Sequence, residues 1–369
     1  MVRQIACDGG HMGDLTPILE WLGDGPAILA AGLITGLIFG ASAQRSRFCL
    51  RAATVEFWRG QAGGRFAVWL FVFATALLLT QALLSTGSLD TTTIRQLSGM
   101  GSMSGAIIGG ALFGTGMVLA RGCASRLLVL SATGNLRALV TGLVLTITAQ
   151  ASLTGALSPL RTAIADLWLI GEPARNLATT LPTGTAWFLG LSLFIGAIAL
   201  AMRAKVAAAT IGFALATGAA IALGWALTAQ IAAWSFEPVD VQSVTFTGPS
   251  ANTLMALINQ THLPATFGSG LVPGVFAGAM AAAFWGGDWK VQTFDASSGM
   301  IRYMIGAALM GFGGMLAGGC AVGAGITGGS VMATTAWVAL LSMWVAAGIA
   351  DSLTDKNSGW ATLPGQLRI

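Results

Sequence analysis

Three of the four cysteines in this chain lie at the same place in a repeated glycine-rich motif. Cys49, Cys123 and Cys320 each follow a glycine that lies nine residues earlier, and the runs that end at Cys123 and Cys320 share further residues in register. Small cysteines also pack well between glycine-rich helices, so packing is the alternative interpretation. The repetition favours a shared chemical role for the three thiols.

The charged neighbours of these cysteines indicate what that role is. Arg47 lies two residues before Cys49 and Arg121 two residues before Cys123, whereas Gly318 takes this position before Cys320. A nearby guanidinium stabilises a thiolate or another anion. We therefore interpret the motifs as a path for a sulfur-containing anion that meets soft, polarizable sulfur. The alternative is that the arginines only set topology or cap helix ends.

Other chemistries lack their usual residues in this sequence. There is no Cys-x-x-Cys pair and no Walker motif, which argues against a thioredoxin-like dithiol and against ATP hydrolysis. The two histidines lie outside the apolar runs, so His-ligated haem or quinone is not expected. The runs also lack central carboxylates, the usual proton carriers. We expect a facilitated path, and neither an enzyme nor a bound cofactor or metal.

The composition is that of a membrane protein. Of the 369 residues, 55% are hydrophobic and only 9% are charged, whereas a soluble domain has about 25% charged residues. Apolar runs of about twenty residues are long enough to cross a bilayer. We predict an all-α polytopic membrane protein with about nine transmembrane helices. The predicted spans are 27–43, 66–84, 104–120, 138–157, 185–202, 206–234, 271–286, 303–317 and 331–350.

The distribution of Lys and Arg predicts the orientation. Basic clusters lie in 44–65, around Arg121, and at Arg203 with Lys205, and they alternate with acidic or neutral loops. With nine spans, this pattern places the N-terminus outside and the C-terminus in the cytoplasm of a bacterium, with the chain in the inner membrane. The sequence pI of 9.2 then reflects topology and does not indicate nucleic-acid binding.

The same motif is threaded through the membrane in opposite directions at Cys123 and Cys320, which is the pattern of an inverted repeat. A weaker fourth copy has Trp225 where a cysteine would be. We predict a first half over 27–157, a connector with one span over 158–205 and a second half over 206–350.

Glycine-rich segments follow two of the cysteines and predict helix starts within the membrane. Unwound backbone at that depth is tolerated where it is buried or lines a cavity, and a helix start attracts anions. The expected anion-attracting residues are Thr133, Gly134 and Asn135 after Cys123, and Thr327, Gly328 and Gly329 after Cys320.

The ends of the chain are predicted to be tails, over 1–26 and 351–369. Residues 1–26 lack the pattern of a cleaved signal peptide. Cys7 and His11 do not make a metal site by themselves, and Cys7 stands outside the repeated motif.

At Arg47-Phe48-Cys49, Arg121-Gly122-Cys123-Ala124 and Gly318-Gly319-Cys320, the chain resembles the YeeE/YedE family of membrane proteins of thiosulfate uptake. The resemblance runs from about 27 to 350. It implies an hourglass shape, inverted halves and short re-entrant helices that do not cross. It also implies that Cys49, Cys123 and Cys320 relay thiosulfate, and that a small cytosolic TusA-like sulfur carrier takes part. Because 351–369 is too short for such a domain, the carrier is expected to be a separate chain.

Three hypotheses follow. The first is a transporter or channel for thiosulfate or a related sulfur-containing anion. YedE-type members of the family are associated with other sulfur or selenium species, which are therefore the alternative substrates. The second is a membrane sulfurtransferase that passes sulfur covalently to a cytosolic carrier. The third is a structural membrane subunit that docks the carrier. Persulfide on a motif cysteine would distinguish the second from the first.

Overall fold

The computed structural model describes residues 23–182, 184–235, 238–293 and 299–354; Cys7 and most of both predicted tails lie outside this part of the chain. The described chain is helical apart from a two-stranded antiparallel sheet, in which β1 (Gly101–Ser102) pairs with β2 (Leu169–Ile170). The prediction of an all-α chain is confirmed.

The α-helices are α1 Asp24–Ser46, α2 Leu50–Trp58, α3 Gly64–Ser85, α4 Gly110–Leu119, α5 Ala124–Ala132, α6 Leu136–Leu153, α7 Ser158–Ala165, α8 Leu177–Thr180, α9 Thr185–Arg203, α10 Ala208–Trp234, α11 Thr247–Asn259, α12 Phe267–Gly286, α13 Met300–Leu316, α14 Gly328–Ser330 and α15 Thr334–Thr354. Two π-helical segments, π1 (Gly105–Gly109) and π2 (Ala321–Thr327), precede α4 and α14.

Nine segments of the described chain are long and apolar enough to cross a membrane, and each predicted span overlaps one of them. Three of the nine contain a break, at which a long helix is followed by a short one. These three are Asp24–Trp58, Gly105–Ala132 and Met300–Ser330, and each break carries one of the motif cysteines.

Glycines bring α1 and α12 into backbone contact along their length. A Cβ placed on Gly36 would lie 2.5 Å from the carbonyl oxygen of Leu271, and one placed on Gly274 would lie 2.5 Å from that of Leu33. Gly32, Gly40 and Gly278 meet the facing backbone in the same way. Such close approach is how membrane helices associate when no hydrophobic effect drives them together.

A second pair, α4 and α13, is packed through glycine as well. A Cβ on Gly116 would lie 2.5 Å from the carbonyl oxygen of Gly306, and one on Gly313 would lie 2.7 Å from that of Gly109. Around these two pairs, α10 contacts α1 and α3, α15 contacts α4, α6 contacts α13, and α9 packs on α3 at the periphery.

Loops close the two ends of the bundle. At the end that carries Arg47, called the basic end below, the chain at 290–292 pairs with 133–136. At the opposite end, Arg175 ties two loops together: its guanidinium donates to the carbonyl oxygens of Ser98 and Gly99, and its own carbonyl accepts from the Thr334 N–H at 2.9 Å.

Candidate functional site

The three motif cysteines are built into the same backbone construction. Cys49, Cys123 and Cys320 are the N-cap residues of α2, α5 and π2, and each has an extended backbone. The residue two positions earlier is left-handed in all three breaks, with φ of 53° at Arg47, 54° at Arg121 and 81° at Gly318. This conformation ends the preceding long helix and re-aims the chain, which is why each new helix begins at the cysteine.

An N-cap position places each thiol beside backbone N–H groups that have no partner within the helix. The Cys320 sulfur accepts a hydrogen bond from the N–H of Gly323 at 3.4 Å. The Cys123 sulfur lies 3.3 Å from the hydroxyl oxygen of Ser125. The cysteines themselves therefore mark the helix starts, where partial positive charge is available to an anion.

Cys49 and Cys123 lie side by side, although they belong to different breaks. The two thiols lie near enough to interact with each other. Cys123 is 1% exposed, and Cys49 is partly exposed. Cys320 is also 1% exposed and forms a second position, on π2, which contacts the Cys123 helix α5. The thiols thus form one pair and one single site.

Arg126 supplies the positive charge at the cysteine pair. It is the third residue of α5, partly buried, and lies near enough to act electrostatically on both Cys49 and Cys123. Its guanidinium donates to the side-chain oxygen of Gln44 at 3.4 Å. Within the described chain, Arg126 interacts with the two thiols and Gln44 and lies near further arginines, so the charged side chains next to the pair are cationic.

The two arginines that the sequence predicted to attract anions, Arg47 and Arg121, lie in a different environment from Arg126. Arg47 and Arg121 occupy the left-handed positions of their breaks and are exposed at the basic end. Arg126 also lies near Cys123 in the sequence, but the predicted anion-attracting arginines were Arg47 and Arg121. Helical periodicity could have indicated Arg126, because the side chain of an N-cap residue lies close to the side chain three residues later.

The sequence also singled out Trp225, whose surroundings differ from those of the cysteines. Helix α10 continues through Trp225 without a break, and this residue is fully buried with its indole N–H donating to the Ser330 hydroxyl at 3.4 Å. The residue that packs beside the third cysteine motif is Thr245. A Cβ on Gly323 would lie 2.5 Å from the Thr245 Cβ, so Thr245 lies against the backbone that binds the Cys320 sulfur.

The residues 133–135 are placed apart from the thiols, at the start of α6. The Gly134 N–H bonds to Ser131, the Asn135 N–H bonds to Leu130, and the Asn135 side chain caps α6 through Ala138. Thr133 accepts through its carbonyl from the Lys290 N–H at 3.2 Å. These bonds occupy the donors expected to attract an anion, and the geometry favours a structural role.

Thr327, Gly328 and Gly329 are likewise engaged within the protein. The Thr327 hydroxyl donates to the Val244 carbonyl at 2.6 Å, and Gly328 caps π2. The Gly329 carbonyl accepts from the Met332 N–H at 3.0 Å. All three residues are buried and hold π2 and α14 in place.

The described ranges hold no group of three or more His, Cys, Asp or Glu side chains that could bind a metal ion. The site consists of thiols, helix N-termini and the guanidinium of Arg126 near the thiols. These groups suit an anion that carries a polarizable sulfur atom.

Comparison with known proteins agrees with this chemistry. A family model described as sulphur transport matches residues 45–349, a range that contains all three motif cysteines. The thiosulfate transporter TsuA of Escherichia coli (strain K12) is 26% identical over 373 residues, which cover 91% of this chain and 98% of that protein. The thiosulfate transporter TsuA of Spirochaeta thermophila is 28% identical over 344 residues, or 86% and 98% of the two chains. Both relatives are named as transporters, and the matching model spans most of the chain. This protein therefore belongs to the YeeE/YedE family of sulphur transport membrane proteins.

Proposed function

We propose that this protein takes up thiosulfate, or a closely related sulfur-containing anion, across a bacterial inner membrane along a path lined by Cys49, Cys123 and Cys320. The observation that carries the proposal is the common placement of the three thiols. Each caps a short helix at a break within a membrane-spanning segment. The names of the relatives support thiosulfate as the substrate.

The pattern of helix contacts supports two inverted halves over 27–157 and 206–350, joined through the connector 158–205. If α1, α3, α4 and α6 correspond to α10, α12, α13 and α15, then each contact has a counterpart: α1–α12 matches α10–α3, and α4–α15 matches α13–α6. The contacts α1–α10 and α4–α13 match themselves. Such an arrangement would place the breaks near the centre of an hourglass-shaped protein.

The charges favour movement from the Cys320 site towards the pair. Gly318 gives the Cys320 site no arginine, so the backbone N–H groups of π2 provide a weak site there. Each helix N-terminus contributes about half a charge, and Arg126 adds a full charge at the pair. A dianion is attracted stepwise, and no single site binds it so strongly that it cannot leave.

The thiols act on the terminal sulfur of thiosulfate. An S–H group is a weak donor and its sulfur is polarizable, so the contact costs little desolvation on either side. Cys49, partly exposed near the basic end, would be the last thiol on the path. A separate TusA-like cytosolic carrier is the expected acceptor there.

Uptake in cells tests the proposal directly. A host that lacks its own thiosulfate and sulfate uptake systems is given this gene and grown with thiosulfate as the sole sulfur source. Growth that also requires Cys320 supports the proposal. No growth, with the protein present in the membrane and a carrier co-expressed, contradicts it.

Because Cys49 and Cys123 lie close together, a covalent mechanism is the alternative. In that mechanism a thiol takes the outer sulfur of thiosulfate and transfers it to a cytosolic carrier. Mass spectrometry of protein purified after incubation with thiosulfate would reveal a persulfide on either residue. Transport of the intact anion predicts unmodified thiols and equal uptake of label placed on either sulfur.

The proposed orientation has the N-terminus outside and the basic end in the cytoplasm. A hydrophilic thiol reagent should then reach Cys49 from the cytoplasmic side only. Labelling of Cys49 from outside intact cells would contradict this orientation.

A further inference from the structure

A second segment of the chain, residues 241–246, lies beside the Cys320 site and joins α10 to α11. This segment is not helical, and side-chain hydroxyls fix it to the surrounding structure. Each of three hydroxyls donates to a backbone carbonyl oxygen: Thr228 to Gln242 at 2.7 Å, Ser243 to Ile221 at 2.5 Å and Thr327 to Val244 at 2.6 Å. Because Thr327 is the last residue of π2, the segment is bound directly to the helix that begins at Cys320.

Thr245 is the residue of this segment that touches the Cys320 motif. A Cβ placed on Gly323 would lie 2.5 Å from the Thr245 Cβ, and nearer still to its Oγ1 atom. The Gly323 N–H is the group that donates to the Cys320 sulfur at 3.4 Å. The Thr245 hydroxyl therefore lies next to the backbone that holds the thiol, and the absence of a side chain at Gly323 makes this approach possible.

The hydroxyl of Thr245 is available for a further contact. Thr245 is partly exposed, whereas Val244 and Phe246 on either side are buried. Within the described chain, its hydroxyl takes part in no hydrogen bond. A hydroxyl can donate one hydrogen bond and accept two, so a polar group with unused capacity lies beside the Cys320 thiol.

We propose that Thr245 is a specificity-determining residue of the Cys320 site, where its hydroxyl donates to an oxygen of the anion whose terminal sulfur meets the thiol. The inference rests on the function proposed above and names the residue that recognises the oxygen end of the substrate. Cys320 and Thr245 would then bind opposite ends of one thiosulfate ion.

The chemistry of the Cys320 site explains the need for a hydroxyl. Gly318 leaves this break without an arginine, and a thiol is only a weak donor to oxygen. A hydroxyl is a stronger donor but carries no charge, so it improves the recognition of oxygen without making the site too tight for release. Its contact is weaker than that of the Arg126 guanidinium, in keeping with a path whose attraction rises towards the basic end.

The proposed repeat gives Thr245 a counterpart. Because α1 and α3 correspond to α10 and α12 in that repeat, α2 corresponds to α11. Cys49 is the N-cap of α2, and Thr245 immediately precedes Phe246, the N-cap of α11. The fourth position of the repeat, which the sequence indicated at Trp225, is therefore assigned to Thr245.

Substitutions of Thr245 separate the role of its hydroxyl from the packing of its side chain. Thr245→Val keeps the shape and removes the hydroxyl, whereas Thr245→Ser keeps the hydroxyl and removes the methyl group. Thr141→Val is the matched control, because the Thr141 hydroxyl donates to the Arg137 carbonyl oxygen within α6 at 2.7 Å. Each full-length protein is reconstituted in liposomes, and its melting temperature and the concentration dependence of labelled thiosulfate uptake are measured.

Thr245→Val should raise the KM for thiosulfate about tenfold, because a hydrogen bond to a charged group is lost, and should leave the maximal rate nearly unchanged. Thr245→Ser and Thr141→Val should keep the KM of the unmodified protein. A role in packing alone makes the opposite prediction, since Thr245→Ser would then be the more harmful change. An unchanged KM in Thr245→Val, or a higher KM in Thr245→Ser than in Thr245→Val, would overturn the proposal.

Two further comparisons separate the possible failures. If Thr245→Val does not fold, Thr245→Ala and Thr245→Ser differ only in the hydroxyl, and equal KM values for these two proteins would overturn the proposal. If the unmodified protein takes up thiosulfate and requires Cys320, a negative result at Thr245 removes this inference alone. If the unmodified protein takes up none, the transport function itself fails and this inference fails with it.

Discussion

At the scale of single residues, the N-cap thiol combines two recognition elements in one place. In the proposed function, its sulfur would face the terminal sulfur of a bound anion, while the adjacent N–H groups would face the oxyanion oxygens. Because the cysteine begins the helix, both elements are positioned by the same short stretch of backbone. A substitution that alters only the sulfur therefore tests the chemistry without moving the donors.

We expect Cys123→Ala and Cys320→Ala each to abolish thiosulfate uptake while the protein reaches the membrane at near-normal level. The truncation is small and should cost about 1 kcal/mol of stability. Uptake of labelled thiosulfate, normalised to protein in the membrane, is the measurement. Cys→Ser at the same positions keeps the shape but removes the soft sulfur; full activity of both Ser proteins would show that sulfur is not needed.

Arg126→Gln should weaken thiosulfate uptake more than Arg121→Gln does. Loss of a charge-assisted hydrogen bond costs about 1.5–3 kcal/mol, which corresponds to roughly ten- to hundredfold in apparent affinity. Arg121 is exposed five residues earlier in the chain and is the matched control. The concentration dependence of uptake measures both effects. A larger loss with Arg121→Gln would return the role to the residue that the sequence indicated.

The thiols could be found from the sequence because cysteine is rare in this chain and recurs at one offset. Arg126 could not be separated from Arg47 and Arg121 in the same way. All three lie near a cysteine in sequence. Only the left-handed turn at Arg121 decides that the Arg121 side chain points outward and the Arg126 side chain towards the thiols. That turn depends on φ at a non-glycine residue, for which the sequence carries no marker.

At the scale of elements, the three breaks share one backbone construction but differ in the charge of the left-handed residue. Arg occupies this position at φ near 53° twice, and a Cβ added at Gly318 would meet nothing within 4 Å. The third break therefore has room for the same side chain.

We predict that Gly318→Arg folds and gives a lower KM with a lower maximal rate of thiosulfate uptake. The added charge deepens the weakest site on the path, so the anion binds more tightly and leaves more slowly. Gly318→Ala is the control for backbone strain, about 1–2 kcal/mol in this region. An unchanged KM in the Arg protein, with normal folding, would argue that the anion does not pass Cys320.

Gly36→Ala should greatly reduce the amount of folded protein and its melting temperature. The added methyl would meet the Leu271 backbone, which cannot rotate away as a side chain would, and overpacking costs about 1–3 kcal/mol or more. Gly196→Ala on α9, where nothing lies within 4 Å, is the matched control and should be neutral or slightly stabilising. Equal melting temperatures would contradict the backbone contact of α1 with α12.

The helices were predictable because apolar length alone specifies a membrane span. The helix starts were harder to predict from the sequence. Residues 133–135 were predicted to be an open helix start. Their N–H groups instead bond to the carbonyls of Leu130 and Ser131, and the carbonyls of Thr133 and Gly134 accept from the distant loop 290–292, which no local pattern reveals. Trp225 matched the glycine spacing of a break, yet α10 passes through it, because spacing alone does not stop a helix.

At the scale of the whole molecule, selectivity among dianions follows from where charge and sulfur are placed. On the proposed path, helix N-termini and Arg126 would recognise negative charge and oxygen geometry, which sulfate shares with thiosulfate. The difference lies in the terminal sulfur, which is larger and less strongly hydrated than oxygen.

A large excess of sulfate should therefore compete only weakly with thiosulfate uptake. Sulfate would have to give up tightly held water at a thiol that offers little in return. The measurement is uptake of labelled thiosulfate with increasing unlabelled sulfate, with selenosulfate as a soft-edged competitor of similar shape. Equal competition by sulfate and thiosulfate would leave the cysteines without a role in selectivity.

The contact between α1 and α12 also limits how this protein can move. These helices belong to different halves of the proposed repeat, and their backbones touch along successive turns. Separating the two helices would break backbone contacts at Gly32, Gly36, Gly40, Gly274 and Gly278 together. A cycle in which one half swings against the other would have to break this seam each time. We therefore expect motion to be confined to the short helices α2, α5 and π2, with the two proposed halves as a fixed frame and turnover set by local rearrangement at the breaks.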